Sequence, residues 1–492
     1  MYIGSQQLMK NYDQMLLDEG YLIEELVDKA SDCLMKYMSS YNNIALLCGP
    51  GNNGADGLSL ALKLNDSGKQ VNIFIFDDNK NLSYANQYFL GLCYDNHLNI
   101  TLLDYDNIEK FVFIIEQCDA IVDAMFGFGL NSSPRGLYKT AIEEINKLYD
   151  KDIISVDIPT GLDCNSGKPY QSVVCATHTI TLTALKNGFL NPDSVSFTGK
   201  VILERLDIDN INDSSFLYKM IDLYDINSLI KERMFDGYKM LYGKVGLIAG
   251  CDEYKGAALL ASKSAVYSGS GIVTLISEEN VLSKLTNFVP EATSKIRPNM
   301  LEYDDLKNYN TLLLGSGLGL SIDAYRYVDN VFHHSSQPIV VDGDALTILS
   351  QNLDLLKLRK YPTVLTPHLG EFKRLYPFDD GDDLLFIAKE FAKCYQVTLV
   401  LKGPYTIVTD GNLAYRVISG NKAMSTAGMG DVLAGMITSF LGQGYSSIDA
   451  SLIGVFTHGY IGDQIAQNSY SVIASQMIDF IPKAMHQIKK IK

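Results

Sequence analysis

Apolar runs of strand length recur along this chain, separated by helical periods and by Gly, Asn or Asp turns, and the alternation occurs twice over. In the first series the runs are IALLC (44–48), VNIFIF (71–76), NITLL (99–103), AIVDAM (120–125), IISVDIP (153–159) and HTITLTA (178–184). The second begins at KVGLIAG (244–250) and continues through IVTLIS, TLLLGSG, PIVVDGD, TVLTP and VTLVLKG. Strands that are apolar at consecutive positions bury both faces, so each series predicts a mostly parallel sheet covered by helices. A chain of 492 residues also exceeds what one core normally organises, and two domains follow. The first ends near KVILERLDI (200–208). Residues 209–242 have mixed polarity, no sheet period and several turn formers, as a connector with a short helix would. The expected division is a first domain over 1–208, a linker over 209–224 and a second domain over 225–492.

A net charge of −16 and the lack of any basic run beyond the tail KKIK argue against a nucleic-acid binder. The eight cysteines are scattered, form no C-x-x-C and sit mostly in apolar segments, which predicts reduced core thiols. The start MYIGSQQLMKNYDQML has no signal-peptide pattern, and no stretch reaches the roughly 20 apolar residues that cross a bilayer. A cytoplasmic protein with no membrane partner is expected.

In the first half, GPGNNGADG (49–57) follows a strand and opens a helix, so free backbone N–H groups and the helix dipole would point at an anion above the sheet edge. Glycine for a tight turn is the plain alternative. Two further strand ends carry small polar clusters, VDAMFGFGLNSSPRG (122–136) and VDIPTGLD (156–163), and in an open parallel sheet such loops converge on one crevice. Asp123 and Asp157 would face it. Either aspartate could equally cap the turn that follows it.

These stretches, with TALKNGFLNP behind them, resemble the NAD(P)H-hydrate epimerases over residues 1–208. The resemblance implies a Rossmann-like three-layer α/β/α domain. It places the hydrated dinucleotide against Asn52, Asn53, Gly54, Ala55 and Asp56, against Gly127, Phe128, Gly129, Leu130, Asn131, Ser132 and Ser133, and against Asp157. It places a potassium ion on Asn53, Asp123 and Thr160, an all-oxygen set that suits a hard cation. Asp157 is the candidate for proton transfer at the inverted carbon. Ala55 and Thr160 stand where the family usually has Gly and Ser; Ala tolerates positive φ poorly, while Thr keeps the oxygen. Lys186 could bring a charge to the site, although a lysine ending a strand is more often solvated.

In the second half, NKAMSTAGMGDVLAGMITSFL (421–441) sets Gly428 and Gly430 before Asp431 at the start of an apolar helix. Amides that stabilise a moving phosphoryl group, beside a carboxylate that takes a hydroxyl proton, are the parts of phosphoryl transfer. An N-capping aspartate is the alternative. The motif resembles the anion hole of ribokinase-like α/β/α folds. With YKGAALLASKSAVYSGSG, LLLGSGLGL, VVDGDAL, LTPHLGEFKRL and VLKGPYTIV, it resembles the nucleotide-dependent NAD(P)H-hydrate dehydratases over residues 225–492. The resemblance implies that Ala257, Gly317, His368 and Asp431 line the hydrated dinucleotide. It also implies that Lys402, Gly403, Pro404, Tyr405, Thr406 and Gly430 hold ADP or ATP with Mg2+. Met429 replaces a small hydroxyl residue of that loop.

Together the halves predict a bifunctional metabolite-repair enzyme, an isomerase fused to a lyase. The first would interconvert the R and S hydrates of NADH or NADPH, and the second would dehydrate the S form through a phosphorylated intermediate. Small-molecule substrates and further copies of the chain are the expected partners. The alternative is a vitamin or sugar kinase fused to a non-catalytic binding or scaffold domain.

Overall fold

The computed structural model describes residues 2–76, 81–208, 218–379 and 382–490. The chain divides into two compact units, Met1–Leu217 and Tyr218–Lys492.

In the first unit, β1 (Tyr2–Gly4) leads into a helix, Gln6–Asp18, capped by the Ser5 hydroxyl. The main strands are β2 (Asn43–Cys48), β3 (Gln70–Phe76), β4 (Asn99–Leu103), β5 (Ala120–Ala124), β6 (Asp152–Val156) and β7 (His178–Leu182). β8 (Leu185–Lys186) pairs with β1, and β9 (Lys200–Glu204) closes the series. The large sheet runs β4-β3-β2-β5-β6-β7-β9, parallel throughout. Strand β2 shows why its run is continuously apolar. Ile44, Leu46 and Cys48 enter the core on one face, while Ala45 and Leu47 enter the core on the other. Strand order reverses between β2 and β5, so the chain leaves their C-terminal ends in opposite directions and opens a crevice there.

The second unit has β10 (Tyr218–Ile221), β11 (Lys244–Ile248), β12 (Ile272–Ser277), β13 (Thr293–Ile296), β14 (Thr311–Leu314), β15 (Ile339–Val341), β16 (Thr363–Leu365), β17 (Thr398–Leu401), β18 (Thr406–Thr409) and β19 (Ala414–Val417). Their order is β13-β12-β11-β14-β15-β16-β17-β18-β19-β10. Pairing is parallel from β13 to β17, antiparallel through β17, β18 and β19, and parallel again between β19 and β10.

The expected linker over 209–224 needs correction at its end. Tyr218–Ile221 is a strand, and Asp222 caps a helix over Leu223–Leu229, so these residues belong to the second unit. Residues 209–217 lie outside the described residues. A four-residue strand with alternating polarity, YKMI, gives no apolar run to detect. Strand β13, TSKI, is exposed at three of its four positions for a similar reason and was equally illegible.

Five cysteines are buried as expected, but Cys175 and Cys394 are exposed and Cys251 is intermediate. No helix among the described residues is long and apolar enough to cross a membrane.

Candidate active sites

The loop after β2 is shorter than its sequence suggested. Only Gly49–Gly51 lies outside regular structure, and Asn52 already begins the helix Asn52–Asp66. The glycines therefore permit close packing. A Cβ at Gly54 would stand 1.9 Å from the Gly49 carbonyl oxygen, and one at Gly49 would stand 1.7 Å from that of Met125. Ala55 is helical and wholly buried in the core, and it has no positive φ, so the expected conformational problem does not arise. Gly54 and Ala55 pack inward, while Asn52, Asn53 and Asp56 line a cavity of about 650 Å3.

That cavity also takes in Asp157, Gly127, Phe128, Gly129, Leu130 and Asn131. Ser132 and Ser133 line a neighbouring depression of about 500 Å3 beside Arg135. Gln6 fixes the loop between them, its Nε2 donating to Phe128 O at 2.8 Å and Asn131 Oδ1 at 2.7 Å. The cavity wall is otherwise largely apolar, with Met9, Leu16, Leu26 and Val27 among its residues.

Asp157 sits in the turn after β6 with φ 67°, a left-handed conformation rare for a residue with a side chain. Its Oδ1 accepts from the Leu182 amide at 3.2 Å and from the Lys186 ammonium. Lys186 is fully buried and also donates to Thr181 Oγ1, Leu182 O and Ala184 O. Of the two readings of Lys186, the solvated strand end is the one that fails: this lysine ends a strand inside the protein and brings its charge to the Asp157 carboxylate.

Two more carboxyls face the same space. Burial pushes Asp56 well above the carboxylate range, with Asp157 and Asp13 adding repulsion. Asp13 keeps exposed surface, yet the protein packed around it, and then the Asp157 charge, raise it to about 7, with Lys186 pulling it back. Asp13 went unnoticed in the sequence. The signal was its position, because Met9, Asp13 and Leu16 share one stripe of an amphipathic helix on which the other members are apolar.

Asp123 is completely buried at the end of β5. It accepts from Ser155 Oγ at 2.8 Å, Thr160 N at 2.9 Å, Thr160 Oγ1 at 2.7 Å and Met125 N at 3.3 Å. These bonds tie the 155–160 turn to β5. They also gather oxygens, since Thr160 Oγ1 lies 3.2 Å from Phe126 O. Asn53 supplies a side-chain amide nearby, against Gly127, and its Nδ2 has no hydrogen-bond partner. A carboxylate, a hydroxyl, a carbonyl and an amide oxygen suit a hard monovalent cation.

In the second unit, Gly428 (φ 88°) caps the helix Met429–Gly442. Met429 turns its side chain into the core, leaving the loop amides free of it. Asp431, in the first turn, rises to about 7 through burial and then the Asp342 charge. Ser316 and Lys402 favour its ionised form. Lys402 Nζ bonds Asp342 Oδ1 at 2.9 Å, and a Cβ on Gly430 would lie 3.2 Å from that ammonium. Burial alone would lower Lys402, but Asp342, Glu371 and Asp431 outweigh it and raise it. The remaining residues of the expected nucleotide loop are the turn Gly403 to Tyr405 and Thr406, the first residue of β18.

Gly317 (φ 61°) and Ala257 are brought together: a Cβ on the glycine would stand 2.8 Å from the Ala257 methyl. His368 is exposed and caps the helix Leu369–Leu375, its Nδ1 accepting from Gly370 N at 3.0 Å and Glu371 N at 3.3 Å. Asp342 and Glu371 were missed as site residues although they lie in the segments VVDGDAL and LTPHLGE. Nothing in either segment shows that the distant Lys402 will pair with Asp342 and lie within the field of Glu371.

A family profile described as NAD(P)H-hydrate dehydratase matches residues 245–483, and one described as YjeF-related protein N-terminus matches residues 19–188. A relative from Thermofilum pendens, described as a bifunctional NAD(P)H-hydrate repair enzyme Nnr, is 30% identical over 472 residues, covering 91% of this chain and 88% of that protein. A relative of the same description from Dictyoglomus turgidum is 31% identical over 474 residues, covering 90% and 89%. Among solved structures, the ADP/ATP-dependent NAD(P)H-hydrate dehydratase from Bacillus subtilis, co-crystallised with ATP and Mg2+, is 27% identical with a TM-score of 0.50. It covers 55% of this chain and 99% of that one. A ribokinase-like protein from Enterococcus faecalis is 26% identical with a TM-score of 0.51, covering 58% of this chain and 100% of that one. Two units, each with a carboxyl poised at the C-terminal edge of a parallel sheet, and relatives matched over nine-tenths of its length lead to one conclusion: the chain belongs to the family of bifunctional NAD(P)H-hydrate repair enzymes.

Proposed function

We propose that the first unit interconverts the two epimers of hydrated NADH or NADPH at carbon 6, and that the second dehydrates the S epimer at the expense of ADP or ATP. The observation that carries the reading is Asp431, which titrates at about 7 at a glycine-rich helix start with Lys402 beside Gly430. A base in that range is half ionised at neutral pH and strong enough to take a hydroxyl proton.

In the second unit, Asp431 removes the proton from the carbon 6 hydroxyl, and that oxygen bonds the terminal phosphorus of the nucleotide as the phosphoanhydride bond breaks and the nucleotide leaves one phosphate shorter, AMP from ADP or ADP from ATP. The carbon 6–oxygen bond then breaks, phosphate departs, the ring nitrogen supplies the electron pair, and loss of a carbon 5 proton restores the dihydropyridine. Backbone amides at Met429 and Gly430 and the Lys402 ammonium stabilise the negative charge of the transferred group. Lys402 to Thr406 and Gly430 hold the nucleotide, Ala257, Gly317 and His368 border the hydrate, and Mg2+ supplies charge neutralisation on the phosphates. In the first unit, Asn52, Asn53, Asp56, Gly127 to Asn131 and Asp157 contact the hydrate, with Ser132 and Ser133 in the neighbouring depression and Gly54 and Ala55 packed behind them. Potassium is held by Asn53, Asp123 and Thr160, with the Phe126 carbonyl as a further oxygen.

The test incubates the full chain with mixed hydrate epimers and ADP or ATP and follows recovery of reduced-nicotinamide absorbance. Asp431→Asn abolishes recovery, and Asp157→Asn leaves one epimer stranded apart from its spontaneous conversion. Full turnover by Asp431→Asn removes the proposed base, and a stable phosphorylated product in place of free phosphate marks a kinase instead.

A further inference from the structure

We propose that Asp13 is a catalytic residue of the first unit, the acid that carries the proton to carbon 6 oxygen across the cavity from Asp157. The inference rests on reading that unit as an epimerase. Asp13 lies in the middle of a cavity-facing stripe of the helix Gln6–Asp18, between Met9 and Leu16; those two are buried, whereas the Asp13 carboxyl stays exposed where it lines the cavity. Asp157 reaches the same cavity from the turn after β6, so the two carboxyls enter from different elements. They differ in environment. Asp157 is paired with Lys186, whereas Asp13 meets that lysine only at a distance, across a charge already taken. Asp56, from the helix Asn52–Asp66, adds a third carboxyl, whose proton affinity burial and then the charges of Asp157 and Asp13 raise. Neighbouring carboxyls whose surroundings drive them apart divide naturally into acid and base.

The chemistry balances without a further reactant. Asp13 gives its proton to the carbon 6 oxygen as the carbon–oxygen bond breaks, and the ring nitrogen lone pair forms a double bond to carbon 6, releasing water. Water then bonds the other face of carbon 6 and the electron pair returns to nitrogen. The proton shed by that water goes to Asp157, and the two carboxyls exchange roles when the opposite epimer reacts.

The experiment measures interconversion of the separated epimers by the full chain, alongside dehydration of the S epimer. Asp13→Asn lowers the epimerisation rate on the order of 100-fold, the usual scale for a positioned acid, and leaves dehydration unchanged. Asp13→Glu restores part of the rate. The wild-type rate falls as pH rises through about 7, because the acid form of Asp13 is lost, and the residual rate of Asp13→Asn lacks that limb. The wild-type profile needs no variant to fold. An Asp13→Asn rate equal to wild type, or a wild-type rate with no loss above pH 7, overturns the proposal. A wild-type chain that does not exceed spontaneous interconversion removes the epimerase reading as well, which separates the two failures.

Discussion

The two units place the same electrostatic device in different settings. In each, a carboxyl rises to about 7 beside an aspartate that is paired with a lysine: Asp13 with Asp157 and Lys186, and Asp431 with Asp342 and Lys402. In the first unit the lysine is 0% exposed and ends its chain in backbone carbonyls as well as in the carboxylate. In the second the lysine is 20% exposed and its ammonium borders Gly430 at the start of a helix. Lys186 is therefore buried as a fixed countercharge, whereas Lys402 retains surface with which to meet an anion. The difference suits one site to proton traffic in an apolar cavity and the other to charge in transfer.

Removing the countercharges should show this contrast most strongly. Lys186→Met leaves a buried carboxylate unpaired and lowers the stability of the first unit by about 3–5 kcal/mol, read from its denaturant midpoint. Lys402→Met also strands a buried carboxylate, but Thr366 Oγ1 still donates to Asp342 and the lost ammonium was 20% exposed, so the second unit loses only about 1.5–3 kcal/mol in the same measurement. Equal losses would erase the distinction. The pH dependence comes next. As the proposed base, Asp431 must lose its proton, so dehydration kcat/KM is expected to climb about tenfold per pH unit below about 7 and to level above it. Epimerisation has the opposite slope, and parallel profiles would show that the two carboxyls do not divide as acid and base. The smallest effect tests the packing of the first loop. Ala55→Gly, which brings back the residue usual in the family, destabilises the helix by about 0.5–1 kcal/mol and does not speed epimerisation. A gain in rate would mean that position 55 needs glycine for the ligand.

Legibility differed between the sites for a physical reason. Asp431 stands in one contiguous motif, in which the glycines, the helix start and the acid are adjacent, so local geometry carries its meaning. Asp157 was readable through its turn and its loop partners. Lys186 was readable as a candidate charge for the site but not as a buried one, because a lysine after TAL reads equally as a strand end meeting water, and only its pairing with Asp157 inside the unit decides between them. Asp13 looks like an ordinary polar position until the neighbouring elements enclose its helix. In the fold, the doubly buried strands were legible as continuous apolar runs, while β10 and β13, short and mixed in polarity, were not.

By itself the sequence determined two α/β units, their parallel strands and the loops that end them, since periodicity and turn chemistry act over a few residues. Tertiary structure alone decided which charges share a space. Asp13, Asp56 and Asp431 are brought against other charges only when distant segments close around them, and the proton affinity of a carboxyl depends on those charges and on how much water it keeps, neither of which is encoded locally.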